Sequence, residues 1–259
     1  MSIESDRAAR ALVETWAYLV TAIPEGWIRT RDGGLAAVTG VAVPTLNGVW
    51  VERADADAMD VEELLHQVAA SGLPHCLQFR SGLTDHLAAL ARRRRMVWEQ
   101  DIPLMALEDP RRLDAAQAVS GLTIRELSPT EAELHARAAA AGFEAPAEVF
   151  LKLMSPSVLA TPGVRCYLGE AGGQPVTTGL SVRLDSYVAI FNIGTPPEHR
   201  RRGYGAAVTA RAVADGMATG ARWAWLQASA AGYMVYERLG FQAVESWPCW
   251  VSSLPDDEL

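Results

Sequence analysis

Residues 199–208 read HRRRGYGAAV: three consecutive arginines, two glycines separated by one tyrosine, then small apolar residues. A chain with a formal net charge of −8 gathers positive charge and backbone freedom at this one point. The flanking stretches say why. SYVAIFNIGT (186–195) reads as a strand, and YGAAVTARAVADGMATG (204–220) reads as a helix closed by Gly220. A strand feeding a helix through a glycine turn aims unpaired backbone N–H groups outward, and the helix dipole adds partial positive charge there. Gly203 and Gly205 let a ligand approach the backbone, while Arg200, Arg201 and Arg202 can add charge-assisted hydrogen bonds. The chemistry is capture of a pyrophosphate-like anion. No Gly-Lys-Ser/Thr occurs, which excludes a Walker phosphate loop, and the G-x-G-x-x-G of a dinucleotide loop is absent here.

The elements that position this turn repeat an earlier pattern. From about residue 48 the chain reads strand (48–54), helix (60–72), strand (74–79), helix (83–96), strand (97–107). The same order returns as strand (186–195), helix (204–220), strand (222–229), short helix (232–241) and strand (242–251). LPHCLQF aligns with RWAWLQA, and VWEQDIPLM with QAVESWPCW, placing Pro103 over Pro248. Polar, turn-rich residues 108–121 separate the halves. Beyond them come a strand, a helix capped by Ser128 or Thr130 with Glu131 and Glu133 in its first turn, and two strands (164–184) joined at the turn AGGQ. The division expected is 1–118 and 119–259, two α+β domains in tandem. An N-terminal amphipathic helix with Ala8, Leu12, Trp16 and Leu19 on one side precedes the first.

The totals bound the function. With 49% hydrophobic and 21% charged residues the composition is that of an ordinary globular chain. No run of about 18 apolar residues occurs, so no spanning helix and no membrane partner are expected. The N-terminus lacks the basic segment and apolar core of a signal peptide. Cys76, Cys166 and Cys249 lie far apart, which fits reduced thiols and a cytoplasmic location. No Cys or His pair has ligand spacing, so no metal is expected. A sequence pI near 5.2 argues against nucleic acid as a partner.

Arg200-Arg201-Arg202-Gly203-Tyr204-Gly205 matches the Arg/Gln-x-x-Gly-x-Gly/Ala signature of the GCN5-related N-acetyltransferases (GNAT). NIGTPPEHRRRGYG and LQASAAGYMVYERLGF also resemble that family, over about residues 121–253. The resemblance implies a tandem GNAT-like fold, each half a mixed, mostly antiparallel central sheet flanked by helices, with acetyl-CoA as co-substrate. It implies that the backbone of Ile193, Gly194 and Thr195 pairs with the pantetheine arm, and that the Ile193 N–H polarises the thioester carbonyl. Backbone N–H groups from Arg201 through Tyr204 and Gly205 to Ala206 would cradle the pyrophosphate, with the Arg200 side chain nearby, where the two motif-bearing strands splay. Tyr236 stands where relatives keep a tyrosine as general acid, and Ser229 stands at a coenzyme-contacting position that equally suits a helix cap. Glu144, in GFEAPAEVF, lies in the segment that lines the acceptor pocket and is the carboxylate candidate for a base. Asn192 would face the cleft, and His199 reads as a surface residue.

In the first half, ADADAMD (54–60) stands where a coenzyme turn would be. It has no arginine or glycine, and Asp55, Asp57 and Asp60 oppose an anion. The run ARRRRM (91–96) reads as a solvated face. The first half is therefore expected to be a degenerate copy that supports the second and walls its acceptor pocket. The function expected is N-acetylation of a small-molecule or peptide amine. A non-catalytic acyl-CoA-binding sensor is the alternative, and a homodimer is one assembly open to the chain.

Overall fold

The computed structural model describes residues 5–53, 55–109, 113 and 119–252. They form two compact units that are not consecutive halves. The first runs to Leu104 and takes back the chain from Val244 onward, and the second is Met105–Ala243. The turn-rich stretch expected to separate 1–118 from 119–259 falls largely on residues outside those described.

In the first unit, α1 (Ser5–Ala22) buries Ala8, Leu12 and Leu19 as its spacing foretells, and Trp16 packs on Trp50 with ring centroids 5.3 Å apart. A hairpin of β1 (Trp27–Arg31) and β2 (Gly34–Val38) follows. A sequence reading that begins its strands at residue 48 passes over this hairpin, because WIRTR carries too many polar residues to look like a core strand. Its Asp32-Gly33 turn, with Gly33 at φ +80°, is the available signal. Then come β3 (Asn47–Val51), α2 (Ala58–Ala69), β4 (Cys76–Phe79), α3 (Thr84–Arg93) and β5 (Met96–Leu107), whose last residues belong to the second unit. β2 and β3 are antiparallel, and α2 crosses over to make β3 and β4 parallel.

The second unit is a sheet in the order β10-β9-β8-β7-β6, made of β6 (Leu122–Leu127), β7 (Val164–Ala171), β8 (Gln174–Leu184), β9 (Tyr187–Gly194) and β10 (Trp223–Gln227). β6 to β9 are antiparallel, and β9 and β10 are parallel. Of the two cap candidates it is Ser128 that serves, in a capping box with Glu131, and α4 (Ala132–Phe143), α5 (Ala147–Leu153) and α6 (Pro156–Leu159) follow it. On the other face, α7 (Tyr204–Ala218) packs Val208, Ala212 and Val213 against Tyr167, Val188 and Ile190, and α8 (Tyr233–Arg238) leads out of β10. The last strand, β11 (Gln242–Ser252), runs antiparallel to β4 with Cys249 opposite Gln78, so the end of the chain completes the first unit's sheet. It is held there by Arg80, which donates to Glu245 at 2.9 Å, to Ser5 at 2.9 Å and to Asp6.

His135 on α4 is fully buried, and neither ring nitrogen has a partner among the described residues. Burial disfavours the imidazolium and lowers its pKa to about 4. The folded protein therefore takes this proton later than the unfolded chain does. The stability this preserves is present above pH 6.5 and is lost as pH falls through about 4, by about 3 kcal/mol at 1.36 kcal/mol per unit. Thermal unfolding followed from pH 7 to pH 4 is expected to show that loss. His135→Leu, which removes both unpaired nitrogens, is expected to flatten this acid limb and raise Tm at pH 7. An unchanged acid limb in the variant would assign the loss to other groups.

Candidate active site

The site begins where β9 and β10 stop pairing. Their parallel register holds from Trp223 opposite Tyr187 to Trp225 opposite Ala189 and goes no further, although β9 runs on to Gly194. The cause lies on the other edge of β9. Between Phe191, opposite Leu180, and Gly194, opposite Thr178, β9 carries one extra residue, and Asn192 takes the left-handed conformation at φ +51°. A bulge of this kind bends its strand and re-aims the residues beyond it. Two buried threonines of β8 hold the bend: Thr178 Oγ1 donates to the Asn192 carbonyl at 3.2 Å and Thr177 Oγ1 to the Gly194 carbonyl at 2.9 Å. The strands thus diverge where the sequence reading expected a splay. The bulge itself was not foreseen, nor was the role of the threonines. Asn192, which tolerates left-handed backbone better than most residues, was its one local signal.

The arginine–glycine turn comes next along the chain. Arg201 at φ +61° and Gly203 at φ +82° are both left-handed, and Gly203 is the N-cap of α7 with no side chain capping the helix. The first helical bond is from the Ala207 N–H to the Gly203 carbonyl. Among the described residues, the backbone N–H groups of Arg201 to Ala206 donate to no protein acceptor. Six successive donors without partners thus precede and open a 15-residue helix, and the side chains of Arg201 and Arg202 among them are exposed, an arrangement that favours an anion. Gly205 is less constrained than Gly203, since a methyl group there would sit 3.5 Å from Ile193 and 3.6 Å from Thr195, an ordinary contact.

The Arg200 side chain turns back from this stretch. Its Nε donates to the Thr195 carbonyl at 3.0 Å, and its Nη2 donates to the Gly142 carbonyl at 3.2 Å and to Glu144 Oε1 at 2.7 Å. Glu144, the carboxylate read as a base, is the left-handed C-cap of α4 and is ion-paired to the first arginine of the turn. Gly142 fits α4 flush against β9: a Cβ there would lie 2.8 Å from the Gly194 carbonyl carbon and 2.9 Å from the Thr195 nitrogen. The sequence reading missed Gly142, which in AAAAGF looks only like the end of a helix.

Tyr236 lies on α8, half-buried, with its ring edge-on to Phe241 at 6.1 Å. Burial pushes its phenol up to about 12, and its hydroxyl has no hydrogen-bond partner among the described residues. It holds its proton across the neutral range, and the same burial makes it a weaker acid than a free phenol. Ser229 is exposed and its Oγ accepts the Gly232 N–H at 3.2 Å, which is the helix-entry role. His199, read as a surface residue, is half-buried beside Tyr204.

The equivalent place in the first unit is built differently. β3 stays paired with β4 through Val51 opposite Phe79, its last residue, so no splay forms. The α2 N-terminus is capped by Asp57, whose carboxylate accepts the Met59 N–H at 2.8 Å. Arg53, one residue before ADADAMD, is ion-paired to Asp55 and Asp32. The basic run on α3 is also engaged, with Arg94 on Glu62 and Arg92 over the Trp250 ring.

A parallel pair opened by a bulge, with a donor-lined helix N-terminus at its mouth, is the architecture of the GNAT fold, and the comparisons with known proteins agree. Residues 130–241 match the model of the Acetyltransferase (GNAT) family, so the second unit carries a GNAT domain. Solved structures extend the likeness to the whole chain. A GCN5-related N-acetyltransferase from Kribbella flavida is 21% identical, with 95% of each chain covered and a TM-score of 0.70. A GCN5-related N-acetyltransferase from Sphaerobacter thermophilus is 16% identical over 96% of this chain and 87% of its own, at 0.63. A tandem GNAT protein from the clavulanic acid biosynthesis pathway is 12% identical over 99% and 98%, at 0.60. No curated protein matches the chain. Among the described residues, no helix is long and apolar enough to cross a membrane, and no group of three or more His, Cys, Asp or Glu is disposed to hold a metal. All three cysteines are buried and free.

Proposed function

We propose that the second unit is an acetyl-CoA-dependent N-acetyltransferase and that the first is its non-catalytic copy. One observation carries the reading: the six unpaired N–H groups of Arg201 to Ala206 stand at the mouth of the β9–β10 splay. The donors suit the coenzyme pyrophosphate. The freed edge of β9 at Ile193–Thr195 suits the pantetheine arm, which pairs like an added strand. A neutral amine attacks the thioester carbonyl carbon, the oxyanion accepts from the Ile193 N–H, the carbon–sulfur bond breaks as Tyr236 gives its proton to the departing sulfur, and the proton shed by the acylated nitrogen passes to solvent, from which Tyr236 regains its own. In the first unit, a fully paired β3 and a helix N-terminus occupied by Asp57 leave no equivalent slot.

The test is thiol release from acetyl-CoA against a panel of primary amines: amino acids, polyamines, aminoglycosides and peptides with free N-termini. Turnover with at least one class is expected, with calorimetry giving one coenzyme site per chain. Binding with no turnover on any amine would make the protein an acyl-CoA sensor instead. Absence of both would remove the coenzyme from the account.

A further inference from the structure

The coenzyme turn and the end of α4 meet through one side chain. Arg200 spends three of its five guanidinium N–H groups on the Thr195 carbonyl, the Gly142 carbonyl and Glu144. The two on Nη1 have no partner among the described residues and face no such commitment. Arg200 is thus committed through Nε and Nη2 to the end of β9 and to the end of α4. The pair also explains a backbone oddity. Glu144 sits at φ +54°, a conformation that glycine adopts freely and a glutamate only against its Cβ. The side chain is what the position uses, and its carboxylate points at Arg200.

We propose that Glu144 is a positioning residue: through Arg200 it bolts the C-terminal end of α4, on the acceptor side, to the end of the coenzyme strand β9. This rests on the coenzyme reading above. The flush contact of Gly142 on Gly194 and Thr195 fixes how close α4 comes, and the Phe143 ring lies against Gly194 from the same helix end. Neither contact fixes how α4 is turned. The fork of Arg200, with one arm on β9 and one on α4, does. Glu144 thus acts on the amine through the placement of α4. The proton-abstracting role read from its position in the chain demands a carboxylate directed at the amine, whereas this one accepts from a guanidinium.

Three variants decide the matter. Glu144→Gln keeps an oxygen that accepts from Nη2, Glu144→Gly removes the side chain and relaxes the left-handed backbone, and Arg200→Gln cuts the bolt from the other end without adding flexibility at residue 144. In coenzyme-free protein, amide hydrogen exchange over residues 140–145 is expected to rise about threefold in Glu144→Gly and Arg200→Gln, as befits an exposed pair, and to stay near wild type in Glu144→Gln. Coenzyme A affinity, by calorimetry, is expected to stay within about threefold in Glu144→Gln, which keeps an acceptor for Nη2. With the best amine of the panel, Glu144→Gly is expected to raise the acceptor KM about tenfold with kcat within about threefold, and Glu144→Gln to restore it. A fall in kcat of about 10²-fold in Glu144→Gln at constant KM would make Glu144 the base and overturn the proposal. Unchanged exchange in Arg200→Gln would overturn it as well. A wild type that does not bind coenzyme A defeats the coenzyme reading alone, because the exchange comparison still reports whether the bolt exists.

Discussion

Gly203→Val is expected to show no acetyl-CoA binding in a calorimetric titration, a loss of at least about 10²-fold, where the wild type shows one site per chain. Two physical effects add. Gly203 holds φ +82°, where a β-branched side chain is strained whatever the space around it. A Cβ there also meets Val119 Cγ2 at 3.3 Å, a tight contact that needs a small shift of one or the other. Gly205→Ala supplies the contrast. Its methyl group finds ordinary contact distances, so affinity within about threefold of wild type is expected although a glycine of the same motif is lost. Should Gly203→Val fail to fold, Gly203→Asn keeps the left-handed turn and still adds bulk to it. Unaltered affinity in a folded residue-203 variant would show that the anion binds elsewhere. Two sites per chain would show that the first unit is not silent.

Tyr236→Phe is expected to lower kcat by roughly 10²–10⁴-fold while acetyl-CoA affinity stays within about twofold. The hydroxyl it removes has no partner among the described residues, so the fold loses no hydrogen bond and the Tm is expected to hold. The ring and its edge-on contact with Phe241 are retained. Burial raises the phenol from 10.0 to about 12, so the proton is present at every pH below 10 and is lost only as pH rises toward 12. Tyr236 therefore sets no limb of the wild-type rate profile in the neutral range. Any acid limb there belongs to the amine or to another group. An unaltered rate in Tyr236→Phe would take this residue out of the mechanism, and a weakened coenzyme affinity would recast it as a binding residue.

How much of this could be read from the chain itself varies by element. The glycine turn was legible because its parts are local: a glycine where φ is positive, a helix start with no capping side chain, and arginines beside it, all within residues 200–206. The capping box of Ser128 and Glu131 was legible for the same reason, as was the hostile start of α2, where Asp57 supplies its own cap. The different build of the first unit follows from those few residues and from a β3 that stays paired with β4 to its last residue.

The rest is decided between residues far apart in sequence. Arg200 meets Gly142 across 58 positions, and Glu245 reaches Arg80 across 165, carrying the last strand into the first unit instead of the second. The bulge at Asn192 depends on which residues of β8 stand opposite it, and Glu144 becomes a partner of the coenzyme turn only once α4 lies flush on β9. A cap, a left-handed glycine or a helix dipole is settled by the energy of a few adjacent bonds, so its residue types announce it. Strand partners, bulge register and the aim of a carboxylate are settled by packing summed over surfaces that the linear order does not place side by side. The sequence by itself therefore determined where a glycine turn opens a helix with its N–H groups unpaired, and only the tertiary structure decided what that turn is fastened to.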